Sequence, residues 1–195
     1  MTKLTRLLMA TGLMVTATAA SAHAGHDAGH DAGTGFTSGL LHPMLGLDHL
    51  LAMVAIGFWS VRQSATLKNS TPLFVIGGMI LGAGIAWGGL SLPGVETGIA
   101  LSVLLAGILI ATMAKLPTAV GGSLVAAFMV FHGFAHGAEM PAGATLVAYF
   151  AGFSVATLAL TFAGCGFGAL LLKSDSRITR AIGAVLVGAG VMFAG

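Results

Sequence analysis

The chain has 195 residues, of which 56% are hydrophobic and 30 are glycine, while only 7% are charged. Soluble domains carry about 25% charged residues, so this composition excludes a water-soluble fold and describes an integral membrane protein. The formal net charge of +2 gives no ground for a nucleic-acid partner; the lipid bilayer is the partner that the composition requires.

Lys3 and Arg6 precede an apolar stretch at residues 7–19, and Ala20-Ser21-Ala22 fits a small-x-small cleavage site. Residues 1–22 therefore read as a secretory signal peptide, removed to leave His23 as the first mature residue. Residues 23–38 form a small, polar His/Asp/Gly-rich tail that repeats Ala-Gly-His-Asp. Such a composition predicts disorder on the periplasmic side. His23, His26 and His30 in it suit weak metal capture, with a soluble spacer as the alternative.

Residues 39–195 read as an all-α transmembrane domain, a compact bundle of six helices at 40–61, 72–92, 97–114, 118–139, 144–172 and 181–193. A span needs about 20 residues at a rise of about 1.5 Å each. Pro43, Pro72, Pro93, Pro117 and Pro141 all fall at or near a proposed end, where proline is tolerated. The fifth stretch is longer than a span needs, so it tilts, kinks around residues 164–168 or starts later. Gly78/Gly82, Gly84/Gly88, Gly133/Gly137 and Gly164/Gly168 have the spacing of four that lets membrane helices approach closely. Cys165 is the single cysteine, which excludes an intrachain disulfide and a multi-thiolate metal site.

With the mature N-terminus outside, the alternating loops put Arg62, Lys68, Lys115, Lys173, Arg177 and Arg180 on one side. That side is cytoplasmic by the positive-inside rule. Asp48, Glu96 and Glu139 fall toward the opposite side. The localisation expected is the bacterial inner membrane, multi-pass.

Two clusters hold most of the ionisable groups near the outer helix ends. They are His42-Pro-Met-Leu-Gly-Leu-Asp48-His49 and His132-Gly-Phe-Ala-His136-Gly-Ala-Glu139. Ionisable groups within a span are costly and mark function, and imidazole with carboxylate suits a divalent transition metal. At about 100° per residue, His132 and His136 differ by about 40° and Glu139 stands about 20° from His132. All three share one stripe. His42 and His49 are nearly in line on an ideal helix, but Asp48 points about 100° from His49. Asp48 then orients a ligating imidazole rather than chelating with it, unless Gly46 loosens the helix and brings both inward. The expected site joins the first and fourth spans. Met53 and Met129 near these stripes read as packing residues.

The motifs His42-Pro-x-x-Gly-x-Asp48-His49 and His132-Gly-x-Ala-His136-Gly-x-Glu139 resemble the two signatures of the HupE/UreJ family, and the resemblance covers essentially the whole chain. It implies a secondary permease that takes up Ni2+, in some members Co2+, for nickel enzymes such as hydrogenase or urease. By that resemblance His42, Asp48, His49, His132, His136 and Glu139 handle the ion. The ion is the transported substrate and no permanent cofactor is implied. Any link to nickel-enzyme maturation proteins is indirect. No Walker-type loop is present, so the chain has no nucleotide motor of its own. Two other readings of the same residues are an intramembrane metal-dependent hydrolase, with Glu139 or Asp48 as base, and a membrane metal-sensing or assembly partner. Ser102, Thr112, Ser123, Ser154, Thr157 and Thr161 are unranked candidates for the inner half of an ion path.

Overall fold

The computed structural model describes residues 35–195, so the expected signal at 1–22 and the histidines His23, His26 and His30 lie outside the described residues. Among the described residues there are helices only: α1 (Gly35–Leu45), α2 (Leu47–Ser60), α3 (Ala65–Trp87), α4 (Val95–Thr112), α5 (Thr118–Ala138), α6 (Leu146–Leu170) and α7 (Ser176–Ala194). A 3-10 turn, Leu171–Lys173, joins the last two. Helices α3 to α7 are each long and apolar enough to cross a membrane, and α1 with α2 makes a sixth candidate broken by an 80° bend. The chain is a multi-pass helical membrane protein.

The bend corrects the straight first span expected at 40–61. Helix α1 has 11 residues and α2 has 14, or about 16 and 21 Å at the helical rise. Neither alone matches a hydrocarbon core of about 30 Å. Gly46 is the break, with φ −82° and ψ 112°. A Cβ there would lie 3.1 Å from Asp48 Oδ1 and 3.4 Å from His49 Nδ1, so glycine lets these two side chains fold back over the bend. Helix α1 also begins at Gly35, inside the expected tail, and packs on α6.

Two prolines sit inside helices rather than at their ends. Pro43 lies in α1 and Pro72 in α3. Helix α3 starts before Pro72 because the Ser64 side chain accepts from Leu67 N–H at 3.2 Å and caps it. Pro72 forgoes only the bond to the Lys68 carbonyl. The long fifth stretch is one unbroken helix that starts at Leu146, and the sixth is extended at both ends to Ser176–Ala194.

Helix α2 is the most enclosed element. Nine of its 14 residues are buried, from His49 to Ser60. It packs against α6 and α4, while α3 pairs with α5 and α4 with α7. Water does not drive this packing in lipid, so close backbone approach must. On the α3–α5 seam, a Cβ at Gly78 or Gly82 would collide with the carbonyls of Ala126 and Val130, and one at Gly133 with Met79. Gly164 does the same against Val54 on the α2–α6 seam. Gly84 faces open space and Gly88 meets only its own helix, so that expected pair takes no part in packing. Met53 and Met129 are fully buried in the core.

One end of the bundle gathers the cations. Arg62 Nη2 donates to Leu171 O at 3.1 Å and Thr179 Oγ1 at 3.0 Å. Trp59 Nε1 and Gln63 Nε2 both donate to Ala114 O, which places Lys115 at the same end, with Lys173, Arg177 and Arg180 beside Leu171 and Thr179. The opposite end holds Glu139, His42 and the turn before α6.

These contacts separate two neighbouring glycines. Gly82→Ala is expected to destabilise the bundle by about 1–3 kcal/mol through overpacking, whereas Gly84→Ala leaves stability unchanged or slightly raised. Thermal unfolding in detergent checks this, and equal melting temperatures for both variants would contradict the seam.

Candidate metal centre

The break at Gly46 makes Leu47 the first residue of a new helix, so the first backbone N–H groups of α2 have no intrahelical acceptor. Asp48 fills that need. Its Oδ1 accepts from His49 N–H at 2.7 Å and from the His49 ring at Nδ1 at 3.0 Å. A carboxylate in the first turn also meets the positive end of the helix dipole. Neighbouring side chains that a continuous helix would splay apart are thus joined. Because the carboxylate accepts, His49 Nδ1 carries the hydrogen, and in the neutral ring Nε2 carries the lone pair. Asp48 orients an imidazole, and the bend that permits it is the one Gly46 makes.

The stripe on α5 is as the spacing predicts. His132 and His136 are fully buried, and Glu139 caps the helix. His42 Nε2 lies 2.8 Å from Glu139 Oε2. That hydrogen bond holds the Glu139 carboxyl below the usual carboxylate range. The ionised oxygen accepts from His42 Nε2–H, and in the neutral ring the lone pair of His42 is then on Nδ1.

The four imidazoles form one group. Ring centroids are 4.6 Å apart for His49 and His132, 4.8 Å for His49 and His136, and 4.9 Å for His42 and His136. All six expected ion residues therefore meet at one end of the bundle, from α1, α2 and α5. His42 and His49 are brought there across the bend, not along one helix face. Helix α6 closes the fourth side: Phe153 stacks on His136 at 5.2 Å and 12°, and Tyr149 stands edge-on to His42 at 6.3 Å.

Within this group, no described residue bonds His49 Nε2, His132 Nδ1, either nitrogen of His136, or the Tyr149 hydroxyl, and all are buried. Each such atom costs about 1–3 kcal/mol when left unmatched. The rings meet edge to face, and in this conformation no three His, Cys, Asp or Glu side chains among the described residues have the donor geometry of a bound ion. What converges is a set of buried imidazole nitrogens, not a finished coordination shell.

Ser102 on α4 reaches His132 Nε2 at 2.9 Å. Of the six hydroxyl residues considered for an inner path, it alone has a hydrogen bond to the cluster among those described. It also lines a narrow apolar cavity of about 20 Å³ between α2, α4 and α5, with Ile56, Trp59, Ala106 and Phe128. Room of that size holds about one water. A second cavity shares Trp59 and Leu109 with the first and reaches Arg62 and Gln63. Thr112 and Ser123 are exposed. Tyr149 and Phe153 were not among the expected site residues, although Tyr149 is the single tyrosine of the chain.

Comparison with known proteins gives one consistent picture. Residues 11–193 match the family model described as HupE / UreJ protein. The chain is 40% identical over 176 residues to Protein HupE of Rhizobium leguminosarum bv. viciae, covering 88% of this chain and 87% of that one. No solved structure matches.

Asp48→Ala removes the oxygen that accepts from His49 Nδ1–H. It is expected to weaken Ni2+ binding about 10–100-fold, the usual loss for a group that orients a ligating histidine. Equilibrium titration in detergent measures this, and unaltered affinity would refute the orienting role.

Proposed function

The chain belongs to the HupE/UreJ family, and from that premise we propose that it is an uptake permease for a divalent transition-metal ion, Ni2+ in first place and Co2+ in second. The observation that carries this reading is the set of buried, unmatched imidazole nitrogens of His49, His132 and His136 in a bundle otherwise built for hydrocarbon. Imidazole suits nickel, and a bound dication would match those lone pairs. Loading takes a turn of the rings from edge-to-face contact toward a common centre. A site that must be rearranged to bind is also one that releases, as transport requires.

Both carboxylates near the cluster are already engaged, Asp48 by His49 and Glu139 by His42. That leaves neither as a free general base and favours transport over hydrolysis. The gathering of Lys and Arg at the far end of the bundle supports a cytoplasmic assignment for that end, hence a periplasmic position for the cluster in the bacterial inner membrane. Inward movement of a dication then gains about 4.6 kcal/mol per 100 mV of membrane potential. The histidines His23, His26 and His30 would raise the local ion concentration at the mouth, and uptake would serve nickel enzymes such as hydrogenase or urease.

The cavity under Ser102 gives the ion its inward leg, past Ala106 and Trp59 toward Gln63. The glycines at the α3–α5 and α2–α6 seams offer no such route, since neighbouring backbone fills the space beside them.

Uptake by nickel-starved cells tests the reading. His49→Ala and His136→Ala are expected to abolish nickel uptake at unchanged membrane levels; full-rate uptake by either would defeat it. Ala106→Phe, which fills the cavity, is expected to stop uptake while nickel binding to the purified protein persists. Uptake at the normal rate through the filled cavity would exclude this route. Replacing His23, His26 and His30 together lowers uptake only at scarce nickel; an equal rate at every concentration would make the tail a spacer.

A further inference from the structure

Ser102 is buried on α4, and its hydroxyl has one hydrogen to donate. Its Oγ lies 2.6 Å from Ile99 O. Two oxygens so close need the hydrogen between them, because facing lone pairs repel. Ser102 Oγ–H therefore donates to the Ile99 carbonyl. The same Oγ stands 2.9 Å from His132 Nε2. With its hydrogen committed to Ile99, Ser102 meets His132 as an acceptor, and Nε2–H donates to it. In a neutral imidazole the lone pair then resides on Nδ1. That Nδ1 is buried and bonded by no described residue, and its ring lies against His49.

We propose that Ser102 is a positioning residue of the ion site, one that locks His132 in the Nε2–H tautomer and so presents the Nδ1 lone pair to the transported ion. The inference rests on the transport reading for its purpose, although the lock itself does not. Two locks of opposite sense then face each other. Asp48 fixes His49 with Nε2 open, and Ser102 fixes His132 with Nδ1 open. The two differ in charge. A carboxylate strengthens its imidazole as a ligand, while a neutral hydroxyl orients without adding negative charge, which keeps the grip on the dication moderate. Ser102 also borders the cavity below the cluster, so the same contact lies where the ion would leave.

The test uses the full-length protein in nanodiscs with 15N-labelled histidine, the His132 signals being assigned by their loss in His132→Gln. Without nickel, His132 is expected to show a protonated Nε2 and an unprotonated Nδ1. Ser102→Ala should replace this pattern by a mixture of tautomers and weaken Ni2+ binding about 10–100-fold, and Ser102→Thr, which restores the acceptor, should recover both. Nδ1 protonation in the unaltered protein, or a Ser102→Ala variant with the original tautomer and affinity, would overturn the proposal. A locked His132 in a protein that binds no nickel would instead remove the transport reading and leave the tautomer assignment standing.

Discussion

A nitrogen lone pair enclosed by hydrocarbon has to be matched or it destabilises the fold by about 1–3 kcal/mol. Four imidazole nitrogens near one end of this bundle are enclosed without a match among the described residues. Closely packed glycine seams on either side hold the helices in place around them. These nitrogens gather where α1, α2, α5 and α6 meet. Stability alone would not select such an arrangement. The transport ion proposed above would match these nitrogens.

The bend at Gly46 makes the arrangement possible. It divides one apolar stretch into two helices, turns the second inward as the most enclosed element, and exposes backbone N–H groups at its start. Asp48 satisfies one of these and in doing so fixes the ring of His49. The bend also separates His42 from His49, so that His42 pairs with Glu139 at the rim while His49 meets His132 and His136 further in. A straight helix would have kept the two histidines on one face and left Asp48 pointing elsewhere. The chemistry of the site therefore follows from a backbone feature at a residue with no side chain.

Much of this was legible before the structure. The stripe of His132 and His136 follows from helical spacing, since both lie within one unbroken helix that Glu139 caps. The packing glycines at 78, 82, 133 and 164 follow from their spacing of four, but Gly84 and Gly88 share that spacing and face no neighbour. Spacing shows that a helix face is smooth, not that another helix lies on it. The break was only an alternative in the sequence because hydrophobicity runs straight through Gly46 and glycine is common inside the spans of this chain. Pro72 pointed to a helix start because the polar residues before it look like a loop; the Ser64 cap outweighs that signal. Ser102 was a candidate for the inner path only, and Tyr149 and Phe153 were out of reach as parts of the site. Each meets the cluster from another helix, and neither period nor motif on α4 or α6 records what stands opposite.

X-ray absorption spectroscopy of the nickel-loaded protein reports what the ion touches. A nitrogen-rich shell with the scattering of several imidazole rings, reduced when His49 or His136 is replaced, is expected if the histidines hold the ion. A shell of water and carboxylate oxygens that is unchanged in those variants would contradict that.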